Sequence, residues 1–210
     1  MGDDGDDARL CFPATERNRE AIGTVLEPLL PAAGLVLELA SGSGEHLCYL
    51  QQRFGPSRPG LRWLGSDPDP LHRASLAAWA RHLNLPARAA PLALDACAGN
   101  WPDLGEPPVL MLCINMIHIA PWGATEGLMR HGERLLGPGG LLVLYGPFLE
   151  AAVPTSPSNL AFDASLRSRD RRWGLRSLEQ VTSLAQRHHL VPAGRWPMAA
   201  HNLTVAYRRG

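Results

Sequence analysis

Apolar residues recur along the chain in two rhythms, short continuous runs and runs spaced by three or four. Between Ala14 and Leu30, the positions Ile22, Val25, Leu26, Leu29 and Leu30 share one helical face, and Pro28 kinks or stops the helix near its end. Gly34-Leu35-Val36-Leu37-Glu38-Leu39 then reads as a buried strand, followed by a helix from Glu45 to Phe54 carried by Leu47, Leu50 and Phe54. After a Pro/Gly turn over 55–60 come a second strand near 61–65 and, behind Asp67-Pro68-Asp69-Pro70, a helix with Leu71, Leu76, Trp79, Ala80 and Leu83. A third short strand is expected over 90–94, ending at Asp95. Val109-Leu110-Met111-Leu112-Cys113-Ile114 is continuously apolar, as a parallel strand buried on both faces requires. A helix over 123–136, a Gly-Pro-Gly-Gly turn and strand five at 141–145 follow. The chain closes with a helix over 177–189 and an antiparallel pair, 190–196 with 202–208.

Strands alternating with helices predict an α/β fold, Rossmann-like, with a mostly parallel sheet of about seven strands, helices on both faces and an antiparallel C-terminal strand. Residues 1–10 read as a disordered acidic leader and 11–210 as one domain with an N-terminal helix. The link after strand five, roughly 147–173, is too long for such a fold and predicts an inserted lid. Its cluster from Arg167 to Arg172 is interleaved with Asp163 and Asp170, which fits either an anion-facing surface or an internally neutralised lid with its own helix.

Composition narrows the partners. Twenty basic residues balance twenty acidic ones, so no global field gathers nucleic acid or an anionic membrane. Four scattered cysteines and eight histidines show no metal-ligand spacing, and the thiols suit a reducing compartment. His188-His189 is expected at a solvated helix end. No apolar run is long enough to span a bilayer. A cytoplasmic protein acting on a small molecule, with its oligomeric state open, is the expectation.

The first strand runs directly into Ala40-Ser41-Gly42-Ser43-Gly44 and a helix N-terminus, a socket for a nucleotide-like ligand. Gly42 and Gly44 let the backbone approach that ligand. Leu47, where a dinucleotide fingerprint wants a third small residue, and Glu38, which would repel a pyrophosphate, argue against a nicotinamide enzyme. Glu38 instead suits a cationic amino-acid group, and Asp67 at the end of the second strand suits ribose hydroxyls. Asp95 is a candidate for an adenine amino group, with a helix cap as the alternative, and Trp101 either walls the base or packs. Arg17 and Asn18 of the first helix either close over the pocket or belong to a solvated turn. Asn115 and His118, beyond a central strand, are placed for chemistry, Asn115 as an orienter and His118 as a proton acceptor. Trp122 and Tyr145 are candidates for an aromatic wall and a hydrogen-bond donor, each with packing as the alternative.

Glu38, the Gly turn and Asp67 together resemble the cofactor site of class I S-adenosylmethionine-dependent methyltransferases. A more specific resemblance runs through Pro13-Ala14-x-Glu16-Arg17-Asn18, Glu38 to His46, Ser66-Asp67, Asn115-Met116-Ile117-His118-Ile119-Ala120-Pro121-Trp122, Tyr145-Gly146-Pro147-Phe148, Ser158-Asn159-x-x-Phe162-Asp163-x-Ser165-Leu166-x-x-Arg169 and Trp173-Gly174-x-Arg176. These segments are similar to a methyltransferase-like family of unknown function. The resemblance implies the class I methyltransferase fold, S-adenosylmethionine as cofactor, Arg17, Asn18, Glu38, Gly42, Gly44, His46, Asp67, Asp95 and Asn115 at the cofactor, and Trp122 and Arg169 at the substrate. The catalytic candidates are His118, Tyr145 and Asn115. It implies no metal and no particular acceptor. Near the C-terminus the chain departs from the pattern, with His201 where Asn is expected. The alternative from another class is a non-catalytic, regulatory protein that binds S-adenosylmethionine.

Overall fold

The computed structural model describes residues 8–86 and 90–210. By contact density the chain divides into two compact units, Met1–Leu94 and Asp95–Gly210. The expected leader at 1–7 lies outside the described residues, whereas Leu10 is tied down: its N–H donates to Ser75 Oγ and its carbonyl accepts the Trp79 indole N–H, both at 2.8 Å.

The first unit holds α1 (Pro13–Leu26), β1 (Ala33–Leu39), α2 (Glu45–Phe54), β2 (Gly60–Ser66) and α3 (Pro70–His82). β1 and β2 pair in parallel from Ala33 opposite Gly60 to Leu39 opposite Ser66. Val36, Leu37, Leu50, Phe54 and Leu26 form the dry interior. Asp69 caps α3 by accepting the Leu71 N–H, with Pro70 supplying the fixed first-turn φ. The third strand expected over 90–94 is absent. Among the described residues of this stretch Leu92 alone makes a bridge, to Ser66, and Pro91 beside it lacks the N–H that a ladder would use.

The second unit holds β3 (Pro108–Ile114), α4 (Trp122–Leu135), β4 (Leu141–Leu149), α5 (Pro157–Arg169), β5 (Arg176–Ser177), α6 (Leu178–Arg187), β6 (Leu190–Met198) and β7 (Asn202–Arg209). β3 and β4 are parallel, β7 is antiparallel to β4, β6 is antiparallel to β7, and β5 adds to the far end of β4. The residues of β3 and β4 are almost all buried, as their unbroken apolar runs required. β4 extends four residues beyond its expected end, so much of the expected lid is ordered structure. Ser156 caps α5 on the Asn159 N–H, and two arginines of the basic cluster are paired locally: Arg167 binds Asp163 at 2.8 Å within α5 and Arg172 binds Asp170 at 2.7 Å just beyond it. His188 caps the end of α6 and pairs with Glu133 at 2.7 Å, the helix-end role read from the sequence.

Seven strands in mostly parallel pairings, flanked by helices and closed by an antiparallel hairpin, make a Rossmann-like α/β fold with class I methyltransferase topology. Among the described residues no helix is long and apolar enough to cross a membrane, and no three His, Cys, Asp or Glu side chains group as a metal site.

Candidate functional site

The first unit builds a socket where β1 ends. Ser41 N–H donates to the Ser66 carbonyl and Gly44 N–H to the Ser41 carbonyl, so the chain reverses tightly into α2. Gly44 has φ +86°, and a Cβ there would lie 2.5 Å from the Leu76 Cα, so α3 packs directly on the bare turn. No side chain caps α2, which leaves the donors of its first turn facing out of the turn. Phe12, at the start of α1, comes within contact of Gly42, and its N–H donates to Glu45 Oε2 at 2.8 Å.

Two carboxylates face this turn. Glu38 is 1% exposed, and its Oε2 has no hydrogen-bond partner. Burial raises its pKa from 4.5 to about 8, a Ser41 hydrogen bond opposes the shift and the nearby Asp67 charge adds to it. Burial thus favours the protonated form of this carboxyl. Asp67 is nearly spent. Oδ2 accepts the Gly42 N–H at 3.0 Å, while Oδ1 accepts the Asp69 N–H at 2.9 Å and lies 3.1 Å from His72 Nδ1. Of about four acceptor positions on a carboxylate, three are filled, and Oδ2 keeps one free.

Asn18 and His46 also come together here, the imidazole Nε2 donating to Asn18 Oδ1 at 2.7 Å and tying α1 to α2. Burial, with a smaller push from Arg19, lowers the His46 pKa to about 4. Arg17 is exposed on the same helix and does not join this pair.

The second unit gathers Asn115, His118 and Gly146. Asn115, at the end of β3, has φ +58° and donates its N–H to the Tyr145 carbonyl at 2.8 Å. A Cβ on Gly146 would lie 3.1 Å from His118 Cε1 and 3.5 Å from Asn115 Oδ1, so the three residues meet at one point on β4. His118 is 3% exposed, its Nδ1 has no partner, and Phe162 of α5 meets its ring edge-on at 5.7 Å. Burial, and then the Arg176 cation, lower its pKa to about 4. The imidazole is neutral at ordinary pH. Tyr145 is buried beside it on β4, opposite Thr204.

Arg176 organises this loop, which sequence reasoning left without a role although the residue ends the Trp-Gly-x-Arg segment. Its Nε donates to the Ile117 carbonyl at 2.9 Å and its second nitrogen to the Ala120 carbonyl at 2.6 Å, while its guanidinium stands 5.8 Å from the Trp122 ring. Trp122 and Arg169 are not brought to the Asn115–His118–Gly146 point. Trp122 opens α4 against Arg176, and Arg169 is exposed over Trp173. Asp95 Oδ1 accepts the Cys97 N–H at 2.8 Å and so closes a short turn; no helix begins there, so it is not the helix cap weighed as its alternative. Trp101 packs: it stacks on His131 at 3.7 Å between centroids and donates its indole N–H to the Asp95 carbonyl.

The strand, glycine turn and helix beside a buried acid sit within a fold of class I methyltransferase topology. More narrowly, the chain belongs to DUF938, a family described as protein of unknown function, whose profile matches residues 9–209. Among solved structures it is similar to an O-methyltransferase family 2 protein from Planctomyces limnophilus DSM 3776 in complex with apigenin, at 18% identity and TM-score 0.72, covering 93% of this chain and 62% of that one. An O-methyltransferase family protein from Burkholderia thailandensis matches at 16% identity and TM-score 0.70, covering 94% and 60%. The S-adenosylmethionine-dependent methyltransferase SibL in its apo form matches at 16% identity and TM-score 0.75, covering 93% and 55%. The chain thus spans under two thirds of these proteins' lengths, and identities this low establish the fold alone.

Proposed function

We propose that the protein is an S-adenosylmethionine-dependent methyltransferase acting on a small molecule in the cytoplasm. The observation that carries the reading is Glu38, a fully buried carboxyl with an orphaned oxygen beside a bare glycine turn and an uncapped helix. A buried unpaired acid is costly, by about 1–3 kcal/mol or more. The ammonium of the cofactor's amino-acid end would relieve it. Asp67 Oδ2 would accept one ribose hydroxyl, and Asp95 is the candidate for an adenine amino group. Gly42 and Gly44 would admit the cofactor to the turn, Arg17 would lie over it, and Asn18 and His46 would hold α1 above it. When bound, S-adenosylmethionine supplies an electrophilic methyl group on a sulfonium sulfur that keeps the bonding pair as the acceptor's lone pair takes the carbon.

The chain's own residues would exclude water and align the acceptor. Asn115 offers both a donor and an acceptor, Tyr145 a donor, and His118 a neutral imidazole that accepts a hydrogen bond. A base this weak orients the acceptor and takes only a proton that has become acidic as the new bond forms. Trp122 and Arg169 are further candidates for the substrate. Balanced charge supports a small molecule over nucleic acid as the partner. The low basicity of His118 favours, as second reading, a regulatory protein that binds the cofactor without turnover. Incubation with S-adenosylmethionine and pools of small hydroxyl, thiol and amine compounds, read as S-adenosylhomocysteine by mass spectrometry, separates the two. Product that disappears in His118→Ala and Asn115→Ala supports the enzyme; tight cofactor binding with no product from any pool supports the second reading.

A further inference from the structure

A cavity of about 230 Å³ opens in the second unit where the end of β4, the start of α5 and the tip of the β6–β7 hairpin converge. Its walls are apolar at Phe148, Val153, Met198 and Leu203. Leu203 stands opposite Gly146 in the β4–β7 register, and Phe148 lies two residues beyond Gly146 on the same face of β4. Two walls of the cavity are thus neighbours in the sheet of Gly146, the residue at which His118 and Asn115 meet.

One largely buried side chain offers the cavity an open acceptor. Asn159, 8% exposed, donates from Nδ2 to the His201 carbonyl at 3.2 Å, and its Oδ1 takes no hydrogen bond among the described residues. That single bond also holds the hairpin tip, where Ala200 and His201 both have positive φ. Two consecutive non-glycine residues in that region are unfavourable by roughly 1–2 kcal/mol each, so the tip is held in shape rather than relaxed. The charges at the rim are already matched: Arg195 Nε donates to Glu150 Oε2 at 2.9 Å, and a second guanidinium nitrogen reaches the same oxygen. An anion placed there meets the Glu150 carboxylate, and a cation meets the Arg195 guanidinium.

We infer that this cavity is the acceptor subsite, and that it takes a small uncharged ring compound bearing a hydrogen-bond donor. The donor binds Asn159 Oδ1 and the ring fills the space lined by Phe148, Val153 and Leu203. Phe162, three residues beyond Asn159 on the same face of α5, carries the wall about 5 Å further, to the His118 ring. That distance matches a ring with its donor at one end and its reacting atom at the other. The volume limits the acceptor to a single ring or a small fused pair. The inference rests on the methyltransferase reading for its name of acceptor, but the binding site itself does not.

The test is ligand-observed saturation-transfer NMR on the full chain with phenol, benzoate and benzylammonium as probes, alongside calorimetric binding of S-adenosylmethionine to the same samples. Phenol is expected to bind more tightly than either ion. Val153→Trp, an exposed wall position whose larger ring fills the cavity, should weaken phenol by about tenfold or more and leave S-adenosylmethionine binding unchanged. Asn159→Asp keeps an acceptor and adds a charge but gives up the Nδ2 bond to the His201 carbonyl, so it should admit benzylammonium while weakening phenol less than Val153→Trp does. Equal or preferred binding of benzoate, no binding of phenol, or phenol binding indifferent to Val153→Trp would overturn the inference even if S-adenosylmethionine binds. Failure of S-adenosylmethionine alone would overturn the methyltransferase reading and leave the cavity's ligand class to stand on the probes.

Discussion

Replacing Glu38 with Gln isolates the role of the buried acid, because the shape is kept and only the titration is removed. In the ligand-free chain, burial holds the carboxyl proton from an ordinary 4.5 up to about 8, with Asp67 adding to the shift and Ser41 opposing it. The folded state thus binds this proton more tightly than the unfolded state. Its stabilising contribution is complete below about pH 4.5 and is lost as pH rises toward 8. Each pH unit well inside that window is worth about 1.36 kcal/mol and the slope halves as pH reaches the folded value, so wild type should lose roughly 2 kcal/mol relative to Glu38→Gln between pH 6 and 8. Urea unfolding of both proteins at the two pH values measures the double difference, and effects of every other titrating group cancel. The same carboxyl must ionise to meet a cationic ligand, so wild type should release close to one proton on binding S-adenosylmethionine at pH 7, seen as a dependence of binding heat on buffer ionisation enthalpy. Parallel pH profiles for the two proteins, or no proton release, would refute the reasoning.

Gly44→Ala should lower stability by about 2–4 kcal/mol by chemical denaturation, since the added carbon meets the Leu76 backbone and φ is +86°. Asp67→Ala frees the Gly42 and Asp69 N–H groups as well as a ribose-binding oxygen, so S-adenosylmethionine affinity should fall by about tenfold or more, with stability falling by about 1–3 kcal/mol. His118, lowered to about 4, should stay neutral in nitrogen-resolved NMR from pH 8 down to pH 5. Because the folded state resists its protonation, His118 costs stability as pH falls from its ordinary 6.5 toward 4, and His118→Phe should flatten that acid limb. Arg176→Lys loses the fork that spans the Ile117 and Ala120 carbonyls, and should weaken the loop by about 1–3 kcal/mol while leaving S-adenosylmethionine binding intact.

The socket was legible because it is local. From Val36 to Phe54 a strand, turn and helix follow one another without a break, and the apolar rhythm changes at the glycines. The helix-end place of His188-His189 was legible because the apolar rhythm of α6 stops there, and the Asp163–Arg167 pair because residues four apart on one helix are neighbours; the Glu133 partner on α4 was not. The strand expected over 90–94 failed because apolar character does not supply pairing partners, and only Leu92 has one. Asp95 and Trp101 carried two readings each, and their bonds to Cys97 and His131 depend on contacts that no periodicity encodes. The cavity was hidden altogether. Phe148, Asn159 and Leu203 come from β4, α5 and β7, and only the Gly146–Leu203 register brings the last beside the first. A buried helix asparagine one turn before an exposed phenylalanine was the available signal.

The central claim is that the turn after β1 binds S-adenosylmethionine, and calorimetric titration tests it most directly. S-adenosylmethionine and S-adenosylhomocysteine should both bind the wild-type chain, NADH should not, and Asp67→Ala should lose or greatly weaken both sulfur ligands. Absence of binding by either sulfur ligand to folded protein, or binding of NADH in their place, would contradict it.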